Sequence, residues 1–113
     1  MLVNIEVKPL SVNKVWQGRR FKTKDYKQFE EDCAWYLRNK KMIKGDVEVH
    51  YSFLLKNYKM TDVDNLIKPI QDIIVKNGLI EDDRKIKRII AEKFQLGKKD
   101  ENDMMVINII PYK

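Results

Sequence analysis

The clearest pattern in the chain is a strict alternation over residues 46–56. Val47, Val49, Tyr51, Phe53 and Leu55 fall on one side, and Glu48, His50 and Ser52 on the other. A period of two predicts a half-buried β-strand. Residues 2–9 alternate in the same way, with Val3, Ile5 and Val7 on the apolar side and Pro9 closing the run. Over residues 25–41 the period lengthens. Tyr26, Phe29, Cys33, Tyr36 and Leu37 form one stripe at helical spacing, and Trp35 lies off it. Leu66, Ile70, Ile73 and Ile74 repeat that spacing and predict a second helix over 64–77. Residues 85–95, with a basic edge at Lys85, Lys87 and Arg88, and residues 104–110 read as two further strands. The polar stretch 97–103 reads as a hairpin loop between them. The expected fold is α/β (α+β), with main elements in the order β-α-β-α-β-β. Two helices pack on a mixed sheet of about four strands that ends in an antiparallel hairpin.

Breaks in the pattern set the boundaries. Asp64 or Asn65 can cap the second helix and Gly78 can stop it. Pro69 lacks a backbone N–H and falls just beyond the first turn if Asp64 is the cap, so that helix either starts later or bends there. Residues 10–24 show no period. They interleave Lys14, Arg19, Arg20, Lys22 and Lys24 with Trp16 and Phe21. Cations beside aromatic faces suit a nucleic-acid surface. Equally, both rings can tuck into the core and leave the cations solvated.

Length and composition narrow the class. The 113 residues make one domain, 1–113, and 43% of them are apolar, which argues against disorder. The net charge is +6 despite seventeen acidic residues, so charge is distributed unevenly. A basic surface that holds a polyanion, with a concentrated acidic spot acting on it, has this signature. One cysteine, Cys33, excludes an internal disulfide framework and a cysteine zinc site, and one histidine, His50, reads as structural or solvated. Metal ligation would fall to oxygen, which favours Mg²⁺, Mn²⁺ or Ca²⁺. No signal-peptide pattern and no membrane-length apolar run is present, so a reducing cytoplasm is the expected location.

The candidate chemistry lies between Asp62 and Asp83. Asp62 and Asp64 are two apart in an extended segment, so both can emerge on one side. Asp64, Lys68 and Asp72 are spaced four apart, and Glu81, Asp82 and Asp83 follow the helix. Like charges gathered this densely repel unless a cation neutralises them. Asp83 begins a strand that can lie beside the one leading to Asp62, so two or three carboxylates could converge on Mg²⁺ while Lys68 faces a phosphate oxygen. The bland alternative is an acidic helix start, a surface Asp64–Lys68 salt bridge and a polar loop. An EF-hand is excluded, because Leu66 takes the next ligand position and the required glycine is absent.

These residues carry a resemblance. Asp62-x-Asp64-Asn65, then Lys68, Asp72, Gly78 and Asp82-Asp83, together with Pro9-Leu10-Ser11-Val12-Asn13 after the first strand, resemble the RusA family of Holliday junction resolvases over nearly the whole chain. The resemblance implies a homodimeric, Mg²⁺-dependent endonuclease, of a kind often carried by prophages. Such enzymes nick four-way DNA junctions symmetrically during recombination and repair. It implies that Asp62, Asp64 and Asp83 are metal ligands and that Lys68 is the catalytic lysine, with no small-molecule cofactor and no membrane. A different class fits the basic surface alone: a non-catalytic DNA-binding recombination accessory protein. A metal-dependent nuclease acting on RNA or flaps also stays open.

Overall fold

The computed structural model describes every residue except Arg19, Arg20, Lys98, Asp100 and Glu101. The strand with the strongest alternation, β4 (Val47–Leu55), buries every second residue and is flanked on both sides. Strand β6 (Met104–Pro111) pairs with it antiparallel, and β5 (Ile86–Gln95) pairs with it in parallel. Strand β1 (Leu2–Ile5) adds antiparallel to the far side of β6, giving the order β1-β6-β4-β5. A second, two-stranded sheet joins β2 (Trp16–Gln17) to β3 (Phe21–Lys22).

Register aligns the apolar positions into rows across the sheet. Val3 faces Ile107, and Ile107 faces Tyr51; Ile5 faces Met105, and Met105 faces Phe53. All six side chains are buried. Helix α1 (Lys24–Leu37) covers this face with Tyr26, Phe29, Cys33 and Leu37, and α2 (Ile67–Lys76) covers it with Pro69, Ile70, Ile73 and Ile74. Burying one large aliphatic side chain contributes roughly 1.5–3 kcal/mol, so these rows hold the layers together.

The predicted closing hairpin does not form. β5 and β6 follow one another in sequence, but β4 lies between them. The reason is burial. β6 alternates buried Met105, Ile107 and Ile109 with half-buried positions and can sit inside a sheet, whereas most of β5, rich in Lys and Arg, is exposed and belongs at an edge. The aperiodic segment contains the β2–β3 ladder, two residues per strand, too short for a period to register. Helix α1 stops at Leu37, so Glu30, Glu31 and Asp32 lie mid-helix and only Asp25 is acidic in its first turn.

The end of α2 follows from one residue. Gly78 has φ +77. Leu79 N–H reaches Ile74 O at 3.2 Å and Gly78 N–H reaches Val75 O at 3.0 Å, the paired bonds of a Schellman motif. Leu79 and Ile74 are both fully buried beside it. A Cβ at residue 78 would meet little but a methionine methyl, Met42 Cε at 4.0 Å, so the cost of a side chain there is conformational. Gly78→Ala should therefore lower stability by roughly 1–2 kcal/mol, and Gly78→Asn by less, in urea denaturation. Equal midpoints for Gly78→Ala and the unchanged chain would count against this cap.

Candidate active site

Helix α2 begins later than Asp64. Val63–Leu66 form a 3₁₀ turn with Asp62 at its N-cap, and neither Asp62 nor Leu66, the cap of α2, makes a side-chain capping bond. The expectation that Asp64 or Asn65 caps the helix is thus corrected. Pro69 becomes the third residue of α2, inside the first turn, where the missing N–H would have no helical partner anyway. The spacing of Asp64, Lys68 and Asp72 therefore does not lie on one helix.

Lys68 is the residue around which the acidic groups arrange. Its Nζ lies 2.8 Å from Asp72 Oδ1, one turn on, and 4.0 Å from Asp83 Oδ2. The hydrogen bond to Asp72 and the charges of Asp72 and Asp83 raise its pKa, so Lys68 is an ammonium at neutral pH. With 56% of the side chain exposed, it is open to a ligand. The Asp64–Lys68 bridge considered from spacing is replaced by Lys68–Asp72.

Asp82 has a different task. It accepts from the backbone N–H of Arg84 at 2.9 Å and from Arg84 Nε at 3.2 Å, capping the 3₁₀ turn Asp83–Lys85. These bonds hold its carboxyl well below the usual range. Asp82 thereby fixes the turn that presents Asp83 to Lys68. Glu81 accepts from Gly45 N–H and ties the same segment to the start of β4.

Lys68, Asp72 and Asp83 are thus brought together, whereas Asp62 and Asp64 remain exposed, with no hydrogen bond or ion pair from either carboxylate among the described residues. Among those residues no three acidic, His or Cys side chains stand close enough to share a metal ion. The donor chemistry nevertheless suits a hard divalent cation: unpartnered carboxylate oxygens, and no imidazole or thiolate beside them. A cleft of about 240 Å³ opens beside Asp62, lined by Ser11, Asn13, Met60, Thr61 and Asn65. The loop after β1 therefore reaches the acidic segment.

The basic segment is fastened next to it. Thr23 caps α1 by accepting from Tyr26 N–H at 3.1 Å, and its hydroxyl donates to Lys14 O at 2.5 Å. Lys14 and Lys24 are exposed. Lys22 Nζ lies 4.8 Å from the centre of the Trp16 ring and 4.1 Å from that of Tyr26. Trp16 and Phe21 are 51% and 72% exposed, so neither tucks into the core. Arg19 and Arg20, predicted with these lysines, lie outside the described residues. Trp35 is also exposed, under the Arg38 guanidinium. His50 pairs with Glu48 on the sheet's open face, away from the acidic segment, as its sequence position implies.

One residue near the site gave no signal in the sequence. Lys93 on β5 donates to Tyr58 O at 2.7 Å and to Thr61 O at 2.9 Å, and lies over the Tyr58 ring. It staples the loop that runs into Asp62, across more than thirty residues of sequence. Only a pairing of β5 with β4 could have suggested it.

Comparison with known proteins bears on this arrangement. The family described as Endodeoxyribonuclease RusA matches residues 7–107. The chain is 28% identical over 102 residues to the Crossover junction endodeoxyribonuclease RusA of Aquifex aeolicus (strain VF5), covering 85% of this chain and 76% of that protein.

Lys93→Met keeps the length of the stem but removes the ammonium from two backbone carbonyls. Hydrogen bonds from charged donors contribute about 1.5–3 kcal/mol, and partial exposure places this pair at the lower end. Chemical denaturation should show that loss, and limited proteolysis should find faster cleavage within residues 57–61. Unaltered proteolysis would mean that Lys93 does not hold the loop.

Proposed function

The chain belongs to the RusA endodeoxyribonuclease family, and from that premise we propose that it is a Mg²⁺-dependent, structure-selective endonuclease that resolves four-way DNA junctions by paired symmetric nicks. The observation that carries the proposal is the Lys68 ammonium. It is exposed at the start of α2, oriented by Asp72 and Asp83, with the unpartnered carboxylates of Asp62 and Asp64 just ahead of it.

The role of each residue follows from its chemistry. Asp62, Asp64 and Asp83 would hold Mg²⁺, or Mn²⁺ in its place. When bound, the ion supplies Lewis-acid polarisation of the phosphate and a more acidic water. Lys68 would turn from Asp83 toward a phosphate oxygen and offset the charge that develops there. Asp72 keeps that ammonium oriented throughout. Asp82 and Glu81 hold the turn that carries Asp83. Lys14, Lys22 and Lys24, with Arg19 and Arg20, would bind backbone phosphates, and the exposed Trp16 and Phe21 offer faces for unstacked bases.

A four-way junction presents two equivalent strands related by a two-fold axis, so the reading includes a homodimer with one site per subunit. It also locates the protein in the cytoplasm, where the buried thiol of Cys33, pushed up to about 12 chiefly by desolvation, stays inert. Among the described residues no helix is long and apolar enough to cross a membrane. The affinity of the family for recombination and repair, and its frequent carriage by prophages, extend to this chain as part of the same proposal.

Separating binding from cutting tests it. Asp64→Asn should abolish cleavage of a labelled junction while preserving gel-shift affinity, because removing negative charge does not weaken attraction to phosphate. Lys68→Ala should cost on the order of a hundredfold or more in rate. Normal cutting by Asp64→Asn would remove the catalytic assignment. Binding without cutting by the unchanged chain, under any divalent ion, would leave the accessory DNA-binding role.

A further inference from the structure

β5 is the last strand of the sheet, and no described element pairs with its outer edge. The strand is ten residues long, and at about 3.3 Å per residue that leaves an open edge of roughly 33 Å. Ile89, Ile90 and Phe94 are 43%, 45% and 41% exposed, so the edge is apolar on both faces. A long, open, apolar edge is a template for pairing with another chain, and soluble proteins rarely leave one bare.

Resting on the dimer reading above, we infer that β5 is the dimer seam: two copies of it pair antiparallel about a two-fold axis through Ile90. The strand is complementary to itself, and this selects a second copy of the chain as the occupant. A two-fold axis that makes adjacent strands antiparallel in one continuous sheet stands perpendicular to that sheet. Both subunits' helices then lie on the same face, and directly opposite residues must share a face. Only every second register satisfies this.

Centred on Ile90, the register sets Arg88 against Glu92 twice, Ile86 against Phe94 twice, Ile89 against Ala91 twice, and Ile90 against its own copy. Opposite charges and apolar pairs are what directly opposed strand positions favour. Centring on Ala91 instead would set Ile90 against Glu92 and Ile89 against Lys93, and centring on Ile89 would set Ile86 against Glu92 and Arg88 against Ile90. Both replace the matched pairs with a charge against an aliphatic side chain.

One like-charge pair remains, Lys87 opposite Lys93. Each ammonium already has a partner in its own subunit: Lys87 lies 3.9 Å from Asp46 Oδ1, and Lys93 donates to the carbonyls of Tyr58 and Thr61. Arg88 lies 3.5 Å from Glu48 Oε1 and is 59% exposed, so its guanidinium keeps donors free for a partner's carboxylate. The acidic turn Asp83–Lys85 leads directly into this strand, so the seam would brace the turn that carries Asp83.

Sedimentation should give a dimer at micromolar concentration. In Ile90→Cys, the introduced thiol faces its own copy across the axis, so a short bismaleimide should join the chains. Phe94→Cys should not be joined, because its two thiols lie about 26 Å apart at eight residues' offset. Cys33 is buried and gives no background. Glu92→Arg sets arginine against arginine twice and should raise the dimer dissociation constant about tenfold. Arg88→Glu combined with Glu92→Arg should restore it to within about threefold, a rescue that depends on this register and not on folding of either single variant. A monomeric unchanged chain would overturn the dimer reading and the seam together. A dimer that Ile90→Cys does not cross-link, and that Glu92→Arg leaves as tight as before, would overturn the seam alone.

Discussion

Pro69 carries no backbone N–H, and its ring would collide with the carbonyl of Asn65 if α-helix extended back that far. The helix consequently begins at Ile67, and the residues before it form a 3₁₀ turn. Lys68 is thereby placed in the first helical turn, where its side chain reaches forward to Asp72 and not back to Asp64. Asp62 and Asp64 are released from the helix and keep their carboxylates unpaired, and the turn they occupy packs beside the loop after β1. The geometry of the site thus descends from a single residue that cannot accept a helical neighbour four positions before it.

The rest of the fold supplies what that arrangement lacks. The chain approaching Asp62 is held from β5 by Lys93, and the chain approaching Asp83 is held by the Asp82 cap and by Glu81 on Gly45. The basic segment is fastened by one threonine that caps α1 and bonds back to Lys14 O. A loop rich in like charges would otherwise have little reason to stay near an acidic helix start beyond attraction, which salt screens within about 10 Å. Backbone hydrogen bonds are not screened in that way, so the juxtaposition of cations and carboxylates is built into the fold.

Much of this was legible in the sequence where the determining interaction is local. The alternation of Val47 to Leu55, the stripe from Tyr26 to Leu37 and the stop at Gly78 each reflect a burial or backbone preference confined to one element, and each element is found where the pattern sets it. The late start of α2 was one of the two outcomes that Pro69 allowed. What was not legible is non-local. Insertion of β6 between β1 and β4 depends on competition between two strands for one edge, which their separate patterns do not rank. The choice of Asp72 over Asp64 by Lys68 depends on where the helix begins, and the staple from Lys93 depends on parallel pairing with β4. The exposure of Trp16 and Phe21 turns on a ladder of two residues per strand, below the length at which a period can be read.

The central claim is that an acidic, lysine-centred helix start beside a basic aromatic hairpin cuts branched DNA. It is tested most directly by incubating the purified chain with an end-labelled four-way junction and a linear duplex of matched sequence, each with Mg²⁺ and with EDTA. The account predicts cleavage of the junction alone, only with Mg²⁺, at positions related by two-fold symmetry on opposing strands. Equal cutting of both substrates, or cutting of the junction that persists in EDTA, would contradict it.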